Sequence, residues 1–260
     1  AINFIYYNLP RLSVDIDLDY VGAASKEQMQ QDRKRIHELL QKKFNTEGYR
    51  IKTTKNYIIS RYLLKYENVF GGSDQIKVEI NYLERVPATK TTRMNFKHFF
   101  DVPAFKVNTY PLEELLATKI TALLERKTPR DLFDVYLLEK EQVKLPLLRK
   151  LLVFHYAKFG DLRKVNLNEL KSIDKQAVRR YLEPLLSKNH PFNLQKAKKE
   201  VLTFLSKLAK LSTKEKEFLK QLYDHHHFEP ELLFANTTHN KAIKDHPSIQ
   251  LLLHNLKKSS

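Results

Sequence analysis

The chain has 260 residues, 46 Lys and Arg against 30 Asp and Glu, a net charge of +16, and neither Cys nor Trp. The absence of Cys excludes disulfides, thiolate nucleophiles and cysteine zinc sites, and fits a reducing cytoplasm. No apolar run approaches the ~20 residues that span a bilayer, so no membrane is expected as a partner. With 42% hydrophobic and 29% charged residues, the sequence reads as a globular chain long enough for one large domain or two smaller ones.

Ala1 to Asn8 is apolar and predicts a short helical stub ending before Pro10. Its opening lacks a basic stretch ahead of an apolar core, so it does not read as a signal peptide. Without an initiator Met, the sequence is expected to begin inside a longer chain. Leu12 to Asp19 alternates strictly, the pattern of a strand. Leu12, Val14, Ile16 and Leu18 are expected to point inward, and Ser13, Asp15, Asp17 and Asp19 the other way. Lys26 to Phe44 predicts an amphipathic helix on Ile36, Leu39, Leu40 and Phe44. Tyr57 to Tyr66 and Gln75 to Leu83 predict two strands joined as a hairpin through the turn Phe70-Gly71-Gly72-Ser73-Asp74.

Beyond Tyr110-Pro111 the sequence becomes almost wholly helical. Leu112 to Arg126 carries one leucine-rich stripe, and Thr128-Pro129 restarts a helix with Thr128 as N-cap and Pro129 in the first turn. Several more helices are expected, broken near Pro146, Gly160, Pro184, Pro191 and Pro230. Residues 141–220 hold 19 Lys and Arg against 8 Asp and Glu, a surplus of 11. Such a surplus either solvates helical surfaces or attracts a polyanion, nucleic acid above all.

Asp15-Ile16-Asp17 sets two carboxylates about 6.6 Å apart on one strand face, a spacing suited to one or two hard divalent cations. Unpaired acids this close repel, so they call for a cation or basic partners. The bland alternative is an acidic edge strand neutralised by lysine; the apolar residues alternating with the acids argue for a packed sheet. In Lys77-Val78-Glu79-Ile80-Asn81, Glu79 is a candidate third ligand. Lys119, Arg126 and Arg130 supply charge for a triphosphate, Lys as a point charge and Arg as a fork. Asp131 and Asp134 accompany them, although Asp in a first helical turn is favoured in any case.

Other motifs are weaker. His225-His226-His227 on a helix would splay to different faces, and Gly71-Gly72-Ser73 lacks the Gly-Lys-Ser/Thr of a phosphate-binding loop.

In order, Arg11-Leu12-Ser13-Val14-Asp15-Ile16-Asp17-Leu18, Lys77 to Asn81, Leu115 to Lys119, Arg126, Arg130-Asp131 and Asp134 resemble the AbiEii nucleotidyltransferase family. Its members are toxins of type IV abortive-infection toxin–antitoxin systems on a polymerase-β-like fold. The resemblance covers roughly residues 1–140. It implies an α+β protein: a nucleotidyltransferase core with a mixed sheet over 1–110, its N-terminus truncated, then a helical region over 111–260 that completes the active site and carries the basic face. It implies Asp15, Asp17 and Glu79 as metal ligands. Asp15, Asp17, Lys119, Asp131 and Asp134 are implied as catalytic positions, and Ser13, Arg126 and Arg130 as nucleotide contacts. Mg²⁺ or Mn²⁺ is the implied cofactor and a nucleoside triphosphate the substrate; RNA such as tRNA is the acceptor and a cognate antitoxin a further partner. One departure is the family's Gly-Gly or Gly-Ser turn ahead of the Asp-x-Asp strand: Ala1 stands about where that turn should just have ended, so either the turn is lost in truncation or this copy lacks it and its triphosphate grip is impaired.

Two further readings come from other classes. One is a non-catalytic nucleic-acid- or antitoxin-binding module on the same fold. The other is a sugar transferase holding a metal–nucleotide-sugar on Asp-x-Asp, which explains neither Arg130-Asp131 nor the basic half.

Overall fold

The computed structural model describes residues 2–7, 9–22, 25–97, 103–235 and 243–259. It divides into two compact units, residues 13–87 with 245–251, and residues 1–12, 88–244 and 252–260. Residues 1–12 and 88–110, expected with the core, thus group with the helices.

The first unit is a sheet covered by one helix. Its elements are β1 (Asp15–Asp19), α1 (Lys26–Thr46), β2 (Arg50–Lys55), β3 (Ile59–Glu67) and β4 (Ser73–Asn81). The strand order is β1-β4-β3-β2; β1 runs parallel to β4 and the other pairs are antiparallel, so the sheet is mixed. Ser25 caps α1, its hydroxyl accepting from Gln28 N at 3.2 Å. Met29, Ile36, Leu40 and Phe44 of α1 pack with Tyr62, Leu64, Val78 and Ile80 of β3 and β4. The β3–β4 turn falls at 68–72, and Ser73 and Asp74, expected within it, already belong to β4. Asn68 Oδ1 accepts from Phe70 N and Gly72 N, both at 3.0 Å, and Gly71 adopts φ +78°, where glycine escapes the Cβ penalty.

Two orientations differ from expectation. Leu12, Val14, Ile16 and Leu18 are 64%, 43%, 48% and 49% exposed rather than inward. β1 is an edge strand, and the side chains of α1 pack over β3 and β4 instead. Leu39 lies off the packed stripe of α1 and is exposed.

The second unit begins with a π-helical turn at Ile2–Tyr6 and a two-stranded ribbon of β5 (Thr92–Asn95) and β6 (Lys106–Thr109). Its helices are α2 (Leu112–Arg126), α3 (Pro129–Leu138), α4 (Leu145–Tyr156), α5 (Lys175–Tyr181), α6 (Leu194–Leu208) and α7 (Thr213–Asp224). A final helix, α8 (Pro247–Ser259), has residues in both groupings. α2 packs on α3 and α4, and α3 on α6. Leu116, Ile120, Leu132, Phe133, Leu151 and Phe154 are fully buried there. Each such side chain contributes about 1.5–3 kcal/mol by leaving water. Pro146 lies in the first turn of α4, where it starts a helix rather than breaking one. α7 ends at Asp224, so His225, His226 and His227 follow the helix instead of lying on it.

Candidate active site

The parallel register of β1 and β4 pairs Asp15 with Lys77 and Asp17 with Glu79. Paired residues share a sheet face, so Asp15, Asp17, Lys77 and Glu79 lie on the side opposite Val78 and Ile80. From β3, Arg61 pairs with Glu79 on that same side. Asp15 and Glu79 are already matched by cations. Lys77 Nζ is 3.3 Å from Asp15 Oδ2 and 2.7 Å from Glu79 Oε2, and Arg61 Nη2 is 2.6 Å from Glu79 Oε1. Burial pushes the Glu79 carboxyl up, but Lys77 and Arg61 outweigh it and hold the group below the usual carboxylate range. Burial likewise lowers Lys77, while Glu79 and Asp15 raise it further, so it stays an ammonium. Among the described residues no group of three or more His, Cys, Asp or Glu is arranged to hold a metal ion. Asp15 and Asp17 remain a pair of hard oxygen donors two residues apart on an exposed strand, a set that fits Mg²⁺.

The cationic residues lie in the helical unit. Lys127, in the left-handed conformation (φ 52°), ends α2, and Thr128 starts α3, its hydroxyl accepting from Asp131 N at 3.3 Å. This tight corner brings charged side chains of the two helices together. Arg126 Nη2 donates to Asp131 Oδ1 at 2.8 Å, and Thr128 Oγ1 donates to Asp131 Oδ2 at 2.7 Å. Asp134, one turn on, is 1% exposed and receives Lys119 Nζ at 3.0 Å.

Arg11, to which the sequence assigns no role of its own, completes this cluster. Its guanidinium forks onto Asp134, Nε to Oδ1 at 2.6 Å and Nη2 to Oδ2 at 2.7 Å. Burial raises Asp134, but Arg11 and Lys119 prevail and hold it below the usual carboxylate range. The backbone of Arg11 is also fixed: its carbonyl accepts from Asn3 Nδ2 at 2.8 Å, and the next amide, Leu12 N, donates to Leu185 O at 2.8 Å. Arg130 follows Pro129 in the first turn of α3, half-buried and without an ion pair among the described residues. Arg61 is likewise unassigned from sequence, whereas strand alternation already sets Lys77 on the face of Glu79 as its salt-bridge neighbour. Arg11 lies 123 residues from Asp134 in sequence, so no local pattern reveals that pair.

Acids on a strand face and cations held by buried acids form the chemistry of proteins that handle nucleotide phosphates. Residues 1–227 match the family described as the nucleotidyl transferase AbiEii toxin of type IV toxin–antitoxin systems. The chain belongs to that family and is a nucleotidyltransferase. Among solved structures it is similar to MenT4, a nucleotidyltransferase toxin from Mycobacterium tuberculosis H37Rv, at 15% identity and a TM-score of 0.60. That likeness covers 98% of this chain and 82% of the other, and shows a shared fold. A comparison with curated proteins gives no match. Among the described residues no helix is long and apolar enough to cross a membrane.

Proposed function

We propose that the protein moves a nucleoside monophosphate from a nucleoside triphosphate to a hydroxyl of RNA, such as tRNA, as the cytoplasmic toxin of a toxin–antitoxin pair. The acceptor hydroxyl gives its proton to a carboxylate of the site, Asp131 or Asp134, as its oxygen bonds to the α-phosphorus, the α–β anhydride opens and pyrophosphate leaves. The observation that carries this reading is the register of β1 and β4, which sets Asp15, Asp17 and Glu79 on one face in a chain of this family.

In this reading Asp15 and Asp17 hold Mg²⁺, joined by Glu79 once Lys77 or Arg61 yields an oxygen. The metal, when bound, neutralises charge on the phosphates during displacement. Lys119, Arg126 and Arg130 steady the triphosphate, with Ser13 as a further phosphate contact. Asp131 and Asp134 orient the cations: Asp131 accepts from Arg126 and Asp134 accepts from Lys119 and Arg11. The basic surface over residues 141–220 docks the polyanionic acceptor.

The test is label transfer from each of the four α-labelled nucleoside triphosphates to total tRNA with Mg²⁺. Wild-type protein is expected to label tRNA with at least one of them. Asp15→Ala combined with Asp17→Ala should lower transfer at least about 10³-fold while salt-sensitive tRNA binding persists. Binding of tRNA without transfer by wild type, all four nucleotides tried, would overturn the assignment of the acceptor.

A further inference from the structure

The segment Ser13–Pro87, which carries Asp15, Asp17 and Glu79, leaves the helical unit after Leu12 and rejoins it at Ala88. A buried carboxylate holds the chain at each crossing. At the departure, Asp134 of α3 binds the Arg11 guanidinium. At the return, Glu114 of α2 accepts from Ala88 N at 3.1 Å through Oε1 and from the Thr89 hydroxyl through Oε2.

Glu114 is 1% exposed and is not among the sequence-predicted site residues. His155 Nε2 is 3.1 Å from its Oε1, and Lys158 Nζ is 3.1 Å from His155 Nδ1. An ammonium only donates, so Nδ1 is the acceptor there and Nε2–H donates to Glu114. Helix α4 thus backs the carboxylate from behind. Both clamps stand on the helices that supply the cations. Glu114 precedes Lys119 by five residues on α2, and Asp134 binds Lys119 directly. Buried ionic groups are a poor route to stability compared with apolar packing, yet their directed hydrogen bonds fix a position closely.

We infer that Glu114 and Asp134 are positioning residues for the transfer reaction: Glu114 of α2, the helix bearing Lys119, holds Ala88 and Thr89, and Asp134 of α3, the helix bearing Arg130, holds Arg11, so the two fix both ends from which the segment carrying Asp15 and Asp17 departs. This rests on the functional reading above. It is tested with Glu114→Gln, which leaves one acceptor oxygen for three donors, and with Thr89→Val, a milder removal of one donor should the first variant fail to fold. Arg11→Lys and Asp134→Asn probe the other end, singly and combined.

Two measurements are made on the full chain. In hydrogen exchange, Glu114→Gln and Thr89→Val should raise exchange of the 88–92 amides about tenfold, and Arg11→Lys that of the 13–19 amides, with the α4 core at 148–154 unchanged. In label transfer, Glu114→Gln, Thr89→Val and Arg11→Lys should each lose roughly 10²-fold in kcat with KM for the nucleotide within about twofold, whereas Asp134→Asn, which also releases Lys119, should raise KM as well. Arg11→Lys with Asp134→Asn should be no worse than Asp134→Asn alone, because both act through one contact. Wild-type kcat in Glu114→Gln or Thr89→Val, or additive losses at Arg11 and Asp134, overturns the inference. If wild type transfers no label, the functional reading fails; unchanged exchange at the two crossings then also disposes of the clamps, and raised exchange upholds them.

Discussion

Burial works against the charged form of Asp134, and two cations work for it. Arg11 and Lys119 win, so the carboxyl titrates below its ordinary range. Because the folded value is depressed, the stability it contributes is complete above the unfolded pKa of about 3.9 and is lost as the pH falls through the lower folded value. Asp134→Asn should therefore cost about 3 kcal/mol at pH 7, since Arg11 is left buried without its partner. Below about pH 4 the variant should lose less further stability than wild type. Urea unfolding repeated from pH 7 to pH 3 checks both; parallel curves would show that the Asp134 charge is not what Arg11 needs. Glu114 and Glu79, depressed in the same direction, keep part of the acid sensitivity in the variant. At this scale the sequence identifies Lys119, Arg126, Asp131 and Asp134 as a group but not what each touches. Glu114 looks like one more first-turn acid of α2, and its work is visible only with Ala88, Thr89 and His155 around it.

The corner between α2 and α3 shows how an element sets a site. Thr128 serves twice: its hydroxyl accepts from Asp131 N, capping α3, and donates to the carboxylate that holds Arg126. Thr128→Ala should cost about 1–2 kcal/mol of stability, a typical loss for an N-cap. It should also weaken nucleotide binding, because Arg126 then depends on a looser Asp131. Thermal unfolding alongside titration with Mg²⁺ and each nucleoside triphosphate separates the two effects; a stability loss with unchanged affinity would remove Arg126 from the nucleotide. α1, α2, α3 and the β3–β4 hairpin are legible because caps, leucine stripes and a glycine turn are local signals. β2 carries little strand signal: Arg-Ile-Lys-Thr-Thr-Lys offers a single large apolar residue, and its pairing to β3 comes from the sheet. The inward face expected for β1 fails for a related reason. Alternation shows that a strand has two faces, not that a neighbour covers either of them.

Charge is a property of the whole chain, and its surplus of 16 predicts a steep salt dependence for tRNA binding. Part of the surplus is organised. Lys196, Lys199 and Lys207 of α6 line an open groove of about 650 Å³, together with Glu139 and Glu200. Replacing the three lysines together with Gln should flatten the slope of log K against log salt by about 0.7–0.9 for each phosphate no longer neutralised. Label transfer to tRNA should fall through KM for tRNA rather than kcat. Filter binding from low to high salt measures the slope, and an unchanged slope would move the acceptor to another face.

What the sequence settled alone was whatever rests on near neighbours in the chain: the Asp-x-Asp strand, the helices with their caps and stops, the basic composition and the family motifs in their order. Those follow from backbone periodicity and hydrogen bonds reaching a few residues. Tertiary structure alone decided that β1 is an edge strand, that Arg61 neutralises Glu79, that Arg11 belongs to Asp134, and that Glu114 grips Ala88 and Thr89. Each of these depends on which distant segment a side chain meets. The free energy of such a meeting lies in burial and charge pairing between residues as far as 123 positions apart, which no local pattern encodes.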